Sequence, residues 1–138
     1  MAKEIPRIVV GVIIYNKNHE IFLACSHKWN NKWVVPGGHL EIGETLQDCV
    51  KREVKEETNI DVSDIELVEI RESIFPKEYH QKRHMVFIDY SCKAKNNEIK
   101  LNSELQEYKW INPKEALKKL DLNSSTKIFI EKFIEKNR

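Results

Sequence analysis

Three glutamates in the middle of the chain have a spacing that indicates chemistry. Glu53, Glu56 and Glu57 stand at i, i+3 and i+4, so on a helix their side chains would leave neighbouring points of one face. The apolar stripe that begins at Leu46 and Val50 would continue at Glu53 and Glu57. Because an unpaired buried charge is very costly, the cluster needs cations. Three carboxylates favour a divalent metal ion over a single arginine.

An alternative interpretation is a solvated helix face on which Lys51 and Lys55 balance the three charges. The surrounding residues favour the metal site, because the 23 residues from Gly38 to Ile60 resemble the signature of the Nudix hydrolases, G-x5-E-x7-R-E-U-x-E-E-x-G-U, in which U is a bulky aliphatic residue. Eight of its nine fixed positions match. They are Gly38, Glu44, Arg52, Glu53, Val54, Glu56, Glu57 and Ile60.

Asn59 is the one departure, since the family has glycine there. That glycine closes the helix at a position that often requires a left-handed backbone, and asparagine is the next most tolerant residue. We therefore expect the chemistry to survive the substitution. At the other end Thr45 is a good N-cap with Asp48 three residues later, which predicts a helix that runs to about Thr58.

The resemblance implies a role for each residue of the motif. Glu53, Glu56 and Glu57 would be ligands of Mg²⁺, joined by the backbone carbonyl of Gly37, and a carboxylate site of this kind also accepts Mn²⁺. Glycines 37 and 38 would let the backbone approach the metal ion and the substrate phosphates. The catalytic set would be completed by a pair that orients the ligands, Arg52 and Glu44. Direct contact with a phosphate is the alternative role of the arginine.

The resemblance to short, MutT-like members suggests two further site residues. These enzymes carry a glutamate six residues before a strand tryptophan, where Glu104 stands before Trp110, while Glu107 stands only three before it. We prefer Glu104 as a further metal ligand or as the group that accepts a proton from water; a solvated loop charge is the alternative. Asn123 matches a base-reading asparagine just before the last helix, and a plain N-cap is its alternative.

Other residues admit both a structural and a functional role. Trp29 and Trp33 could stack on a base, although core packing suits Trp33 better. His39 follows the glycines and is interpreted as a surface loop residue. Lys82 and Arg83, between two histidines at 80 and 84, could steer phosphates.

The hydrophobic pattern predicts the elements that position these residues. The predicted strands are Arg7 to Tyr15, Glu20 to Cys25, Trp33 to Val35, Ile65 to Phe75, Met85 to Cys92 and Tyr108 to Ile111. Residues 29–32 read as a polar loop, and Pro36, Gly37 and Gly38 as the end of a strand. Pro113 opens a helix to Leu120. A last amphipathic helix covers 124–136, with Ile128, Phe129, Phe133 and Ile134 predicted inside.

The order of these elements predicts an α+β fold, an α/β/α sandwich with a mixed sheet between helices, and the resemblance implies the same Nudix fold. Residues 1–138 are expected to form a single domain. The net charge of +1 indicates neither DNA nor a membrane surface as partner. Three isolated cysteines and no apolar run of membrane length favour reduced thiols in the cytoplasm. Family members are often dimers, and the resemblance is the sole reason to consider a homodimer.

The resemblance implies hydrolysis of a phosphoanhydride bond in a nucleoside diphosphate linked to some group X. Short length favours a nucleoside triphosphate pyrophosphohydrolase that releases the monophosphate and pyrophosphate, including one that sanitises the nucleotide pool. The alternatives are ADP-ribose or another sugar nucleotide, which Pro76 would suit, and dinucleoside polyphosphates, which Tyr79 would suit. A binding module without catalysis is a further alternative. It is disfavoured because such domains usually lose a motif glutamate, and all four are present here.

Overall fold

The computed structural model describes residues 4–137. The predicted strands and helices occur in the predicted order, with one further short strand, β4. The strands are β1 (Arg7–Tyr15), β2 (Ile21–Ser26), β3 (Lys32–Val34), β4 (Gly37–His39), β5 (Val62–Ile74), β6 (His84–Ala94) and β7 (Tyr108–Ile111). The helices are α1 (Leu46–Thr58), α2 (Pro113–Lys119) and α3 (Ser124–Lys136), and a 3₁₀ turn covers His27–Trp29.

The strands form one mixed sheet in which β1 is central, with the order β3-β2-β1-β6-β5. β1 runs parallel to β6 from Arg7 to Tyr15, and the other pairings are antiparallel. β1 can be central because its residues are β-branched and apolar, which suits a strand buried on both faces. The short strand β4 pairs with the first half of β1, and β7 pairs with β2.

Alternate residues of β1 face different helices. Val10, Val12 and Ile14 pack in the cluster that contains Val50 and Val54 of α1. Ile13 packs on the opposite face in the cluster of the α3 residues Phe129, Ile130 and Phe133. The helices therefore lie on both faces of the sheet, as the predicted α/β/α sandwich requires.

Several predicted boundaries are wrong in detail. Gly37 and Gly38 do not simply end a strand, because with His39 they form β4 and pair with β1. The predicted polar loop at 29–32 contains the end of the 3₁₀ turn and the start of β3. β5 begins three residues early, at Val62, through two irregularities in its pairing with β6. Ile128 is not on the inner side of α3, since 48% of it is exposed and Ile130 is buried instead.

None of the helices formed by residues 4–137 is long and apolar enough to cross a bilayer.

Candidate active site

The predicted site residues meet in one cavity of about 370 Å³, which is within the usual range for small-molecule sites. Its lining contains nearly all of them: Gly37, Gly38, Arg52, Glu53, Glu56, Glu57, Glu104 and Asn123. Glu44 does not line the cavity but contacts Arg52, which does. The sequence prediction that these residues form one site is therefore consistent with their placement.

The first wall of the cavity is the acidic face of α1. The helix begins where Thr45 accepts a hydrogen bond from the backbone N–H of Asp48 (3.1 Å), and it ends at Asn59 with φ 69°. These two caps set the bounds of the helix, and its periodicity then decides which side chains turn inward. Glu57 is only 5% exposed and accepts a hydrogen bond from the backbone N–H of Gly37 (3.2 Å).

Arg52 is the cation at the centre of the acidic cluster. Its Nε and Nη2 donate to the two carboxylate oxygens of Glu44 at 2.6 and 2.9 Å, a bidentate arrangement. Its Nη1 donates to Glu53 at 2.8 Å and to Glu56 at 3.3 Å. Lys55, one of the two lysines of the alternative interpretation, pairs with Asp61. The acidic cluster is thus organised by the arginine of the motif.

The pKa values of the cluster follow from these contacts. The hydrogen bonds from Arg52 lower the pKa of Glu44 to about 2. Burial raises the pKa of Glu53, against the pull of Glu57 and Arg52. Burial, followed by the hydrogen bond shared with Glu53, raises the pKa of Glu57 well above its usual range. Glu57 is therefore buried without a cation in contact, while the one cation that reaches Glu53, Arg52, is shared with Glu44 and Glu56.

This shortage of positive charge is the test of whether a divalent ion fits the residues present. The donors are carboxylate and backbone oxygens, which are the ligands of Mg²⁺ and Mn²⁺. Within residues 4–137 no three acidic, imidazole or thiol groups are already drawn together as a complete ligand set. The contacts show why, since Arg52 holds Glu53 and Glu56 while the Gly37 amide holds Glu57. The donor chemistry therefore fits a divalent ion.

Glycine is required at both positions of β4 that face the cluster. A Cβ on Gly37 would overlap the carbonyl oxygen of Val10 in the neighbouring strand. A Cβ on Gly38 would overlap the carboxylate of Glu53, with both oxygens and the carboxyl carbon well inside 3.0 Å. The backbone of β4 therefore lies close against a carboxylate of α1, while the predicted approach of these glycines to a metal ion and phosphates stays a prediction.

Glu104 and Glu107 are separated by the structure. Glu104 lines the cavity and forms an ion pair with Lys28. Glu107 lies outside the cavity lining and contacts the thiol of Cys25 at 3.7 Å. Of the two candidates, only Glu104 is placed to act with the α1 carboxylates.

Asn123 is both an N-cap and a cavity residue. Its Oδ1 accepts a hydrogen bond from the backbone N–H of Thr126 (3.1 Å), and its Nδ2 donates to Glu78 (3.0 Å). The side chain is almost completely buried but lines the cavity. The capping role is thus present in the structure, and one amide hydrogen is left for another acceptor.

The second wall of the cavity is aromatic. Trp29 packs against Tyr79, with ring centroids 4.5 Å apart, and against Phe87 at 6.4 Å. All three line the cavity, whereas Trp33 packs in the core below α3, in agreement with the sequence prediction. His39 is exposed at the end of β4 and lines the cavity, where desolvation lowers its pKa.

The basic loop lies apart from these walls. Lys82, Arg83 and His84 line a separate groove with the start of β1, outside the main cavity. His80 meets the carbonyl oxygen of Lys28 through its backbone N–H at 2.7 Å. This contact places the loop beside Lys28, a residue of the cavity lining, while the cations Lys82 and Arg83 lie outside that lining.

Four charged residues of the cavity are missing from the sequence prediction: Lys28, Glu41, Arg71 and Asp89. Lys28 is one of them, because a lone lysine carries no pattern. Asp89 and Arg71 lie on β6 and β5 and form an ion pair at 2.7 Å. The available signal is an aspartate within the apolar run MVFIDYSC, which is the kind of residue that a buried strand admits only with a partner.

Comparisons with known proteins agree with this architecture. The model of the NUDIX domain matches residues 5–133. The nucleoside triphosphatase NudI of Salmonella agona is 32% identical over 132 residues, which cover 88% of this chain and 92% of that protein. A MutT protein from Methanosarcina mazei has a TM-score of 0.80 at 26% identity, with 99% of each chain covered. The NUDIX domain of NrtR from Shewanella oneidensis, solved with ADP ribose, has a TM-score of 0.81 at 17% identity over 99% of this chain and 91% of that one, which shows a shared fold.

Proposed function

This chain belongs to the Nudix family, and from that premise we propose that it is a magnesium-dependent nucleoside triphosphate pyrophosphohydrolase. As a member of the family it is an enzyme, a hydrolase of phosphoanhydride bonds. In the proposed reaction water adds to a phosphorus atom of the triphosphate, the phosphoanhydride bond breaks, and nucleoside monophosphate and pyrophosphate leave.

The observation that carries the proposal is the shortage of positive charge in the acidic cluster, where one arginine is shared by Glu44, Glu53 and Glu56 and does not contact Glu57. Glu53 and Glu57 have raised pKa values through burial, and Arg52 reaches only one of them. A site with several carboxylates and too little positive charge to neutralise them suits a polyphosphate that binds together with divalent ions. The name of the NudI relatives, nucleoside triphosphatase, supports a triphosphate as the substrate.

Each residue of the first wall then has a defined task. Glu53, Glu56, Glu57 and the Gly37 carbonyl would hold the ion, which supplies, when bound, positive charge for the phosphate oxygens. Arg52 positions Glu53 and Glu56 through its contacts, and Glu44 fixes Arg52 by accepting two hydrogen bonds from it.

The remaining cavity residues would contact the attacking water, the phosphates and the nucleobase of the substrate. Glu104 would hold the ion with the α1 carboxylates or accept a proton from the attacking water, while Lys28 beside it offers charge to a phosphate. Gly38 leaves room for the Glu53 carboxylate, beside which the phosphates would bind. Asn123 has one free amide hydrogen with which to contact the base.

The experiment measures pyrophosphate and phosphate release with Mg²⁺ from a panel of pure substrates. Nucleoside triphosphates are expected to be the best substrates and to yield monophosphate and pyrophosphate. Glu53→Gln is expected to lower kcat/KM by at least about 100-fold, whereas the matched control Glu135→Gln on the exposed face of α3 should have no effect. Nucleotide binding without turnover in the wild type would refute the enzymatic assignment of the cavity.

A second substrate class is favoured by one observation. Tyr79, the residue that would suit dinucleoside polyphosphates, lines the cavity against Trp29, while Pro76 lies outside the cavity lining. Diadenosine polyphosphates and ADP-ribose are therefore part of the panel. Faster turnover of either than of every triphosphate would replace the proposed substrate and leave the reaction class unchanged.

A further inference from the structure

Asp89 is a buried acid whose hydrogen bonding is incomplete. It lies in the middle of β6 with 0% of its surface exposed. Its Oδ2 accepts a hydrogen bond from Nε of Arg71 at 2.7 Å, but its Oδ1 has no hydrogen-bond partner. A buried oxygen without a partner is costly, so it needs a reason.

The structure keeps space for this oxygen. Gly11 of β1 is the register partner of Asp89, and a Cβ at Gly11 would lie 2.5 Å from Oδ1. Glycine is unfavourable at this point of a central strand, because it has no side chain to pack and a lower strand preference than its neighbours. Gly11 and Asp89 both line the cavity, so the unpartnered oxygen lies close to the cavity wall, with almost no exposed surface of its own.

The surroundings of Asp89 suit a flat molecule with a polar edge. Phe87, two residues earlier on β6, presents its ring on the same face, and Trp29 and Tyr79 continue the aromatic surface. Arg71 lies over the Phe87 ring at 4.9 Å while it holds Asp89. A nucleobase offers a flat face for these rings and hydrogen-bonding atoms at its rim.

The distance from the acidic cluster fits the shape of a nucleotide. Gly37 on β4, Gly11 on β1 and Asp89 on β6 are successive register partners across the sheet. Two strand spacings separate Gly37 from Asp89, roughly 10 Å. A nucleotide is extended, with its phosphates at one end and its base at the other, so phosphates beside Gly37 leave the base near β6.

We propose that Asp89, oriented by Arg71, recognises the polar edge of the substrate's nucleobase and thereby determines which base the enzyme accepts. The inference rests on the proposed function and names a specificity-determining residue for it. Arg71 acts as a positioning residue, because its guanidinium occupies Oδ2 and leaves Oδ1 for the ligand.

The test exploits a property of Asp89→Asn. The amide oxygen of the variant is expected to stay with the Arg71 donor, so its NH₂ group would replace Oδ1 as the atom in the cavity wall. An acceptor thus becomes a donor without a change of size. Uracil and cytosine carry opposite donor and acceptor patterns at atoms 3 and 4, as do hypoxanthine and adenine at atoms 1 and 6.

The measured quantity is therefore the ratio of kcat/KM within each pair, UTP to CTP and ITP to ATP. Assays at about pH 8.5 keep Asp89 ionised, since burial raises its pKa to about 7. The wild type is expected to prefer one member of at least one pair by about tenfold or more. Asp89→Asn should change that ratio by about 10- to 100-fold, and Asp64→Asn, on the exposed side of neighbouring β5, should leave it unchanged.

The outcomes separate this inference from the function on which it rests. An active wild type with less than about threefold discrimination in both pairs would overturn the inference alone, and this result needs no variant. Unchanged ratios in Asp89→Asn would do the same. If that variant does not fold, Arg71→Lys retains the charge but not the planar fork, and it must weaken the wild-type preference. A wild type inactive on every triphosphate would overturn the proposed function and this inference together.

Discussion

Replacement of Gly38 by alanine is the most direct test of how β4 positions the acidic cluster. The added Cβ would overlap the carboxylate of Glu53, and ordinary contact begins at 3.4 Å. Because Arg52 holds this carboxylate at 2.8 Å, the side chain cannot rotate away without breaking that hydrogen bond. The carboxylate must therefore retreat by about 1 Å, a displacement that can cost about 100-fold in rate.

The expected result is a fall in kcat/KM of about 100-fold with little loss of stability. The measurements are initial rates of triphosphate hydrolysis at saturating Mg²⁺ and the midpoint of urea unfolding. Gly43→Ala is the matched control. Nothing lies within 4 Å of its added Cβ, but its φ of +84° makes it the variant that loses stability, by about 1–2 kcal/mol. Activity of Gly38→Ala within about threefold of the wild type would refute the reasoning that Glu53 has no room to move.

Two further predictions concern the charged groups of the cavity. Arg52→Lys removes the fork that holds Glu44 at two points, so the Mg²⁺ concentration for half-maximal activity is expected to rise about 10- to 100-fold; an unchanged metal titration, with Arg7→Lys as control, would contradict it. Burial, together with the neighbouring carboxylate of Glu69 and against the pull of Arg71, raises the pKa of Asp89 to about 7 from about 4 in an unfolded chain. The folded state therefore binds this proton more tightly, and the stability that it contributes at low pH is lost as the pH rises through about 7. Relative to the wild type, Asp89→Asn should gain about 1–4 kcal/mol in free energy of unfolding between about pH 4 and pH 8. Parallel urea-unfolding stabilities across that range would contradict the prediction.

The elements that depend on local chemistry could be predicted from the sequence. The bounds of α1 are predictable because both of its ends have specific residues, a threonine that caps the first turn and an asparagine that adopts the left-handed conformation. The bounds of α3 at 124–136 are predictable for the same reason, with Asn123 as its N-cap. β7 is recognisable because Tyr108–Ile111 is a short aromatic and β-branched run.

What depends on pairing between distant segments could not be predicted. Gly37 and Gly38 have almost no strand preference, and they form β4 only because β1 offers free backbone groups beside them. The irregular start of β5 arises from its register with β6, which no local pattern records. The wrong prediction for Ile128 has another cause, because the helical period turns it away from Phe133 and favours Ile130, against which the sheet packs.

The candidate site shows the same division between local and distant information. Its acidic wall lies within one continuous motif, so the amino-acid sequence is sufficient to identify it. Its second wall joins Trp29, Tyr79 and Phe87, which are far apart in the sequence and have no common spacing. The Asp89–Arg71 pair depends on the register between β5 and β6. Each residue could therefore be identified in the sequence, but their pairing could not be predicted.

The separation of the two walls across the central strand has an evolutionary consequence. Substitutions more than about 7–10 Å apart usually have additive effects, and the register of β4, β1 and β6 places Asp89 about that far from the glycines beside the acidic cluster. Changes on β5 and β6 can therefore accumulate without disturbing the carboxylates of α1. Descendants of such a chain can diverge in the nucleotide they select while they inherit the same hydrolytic machinery.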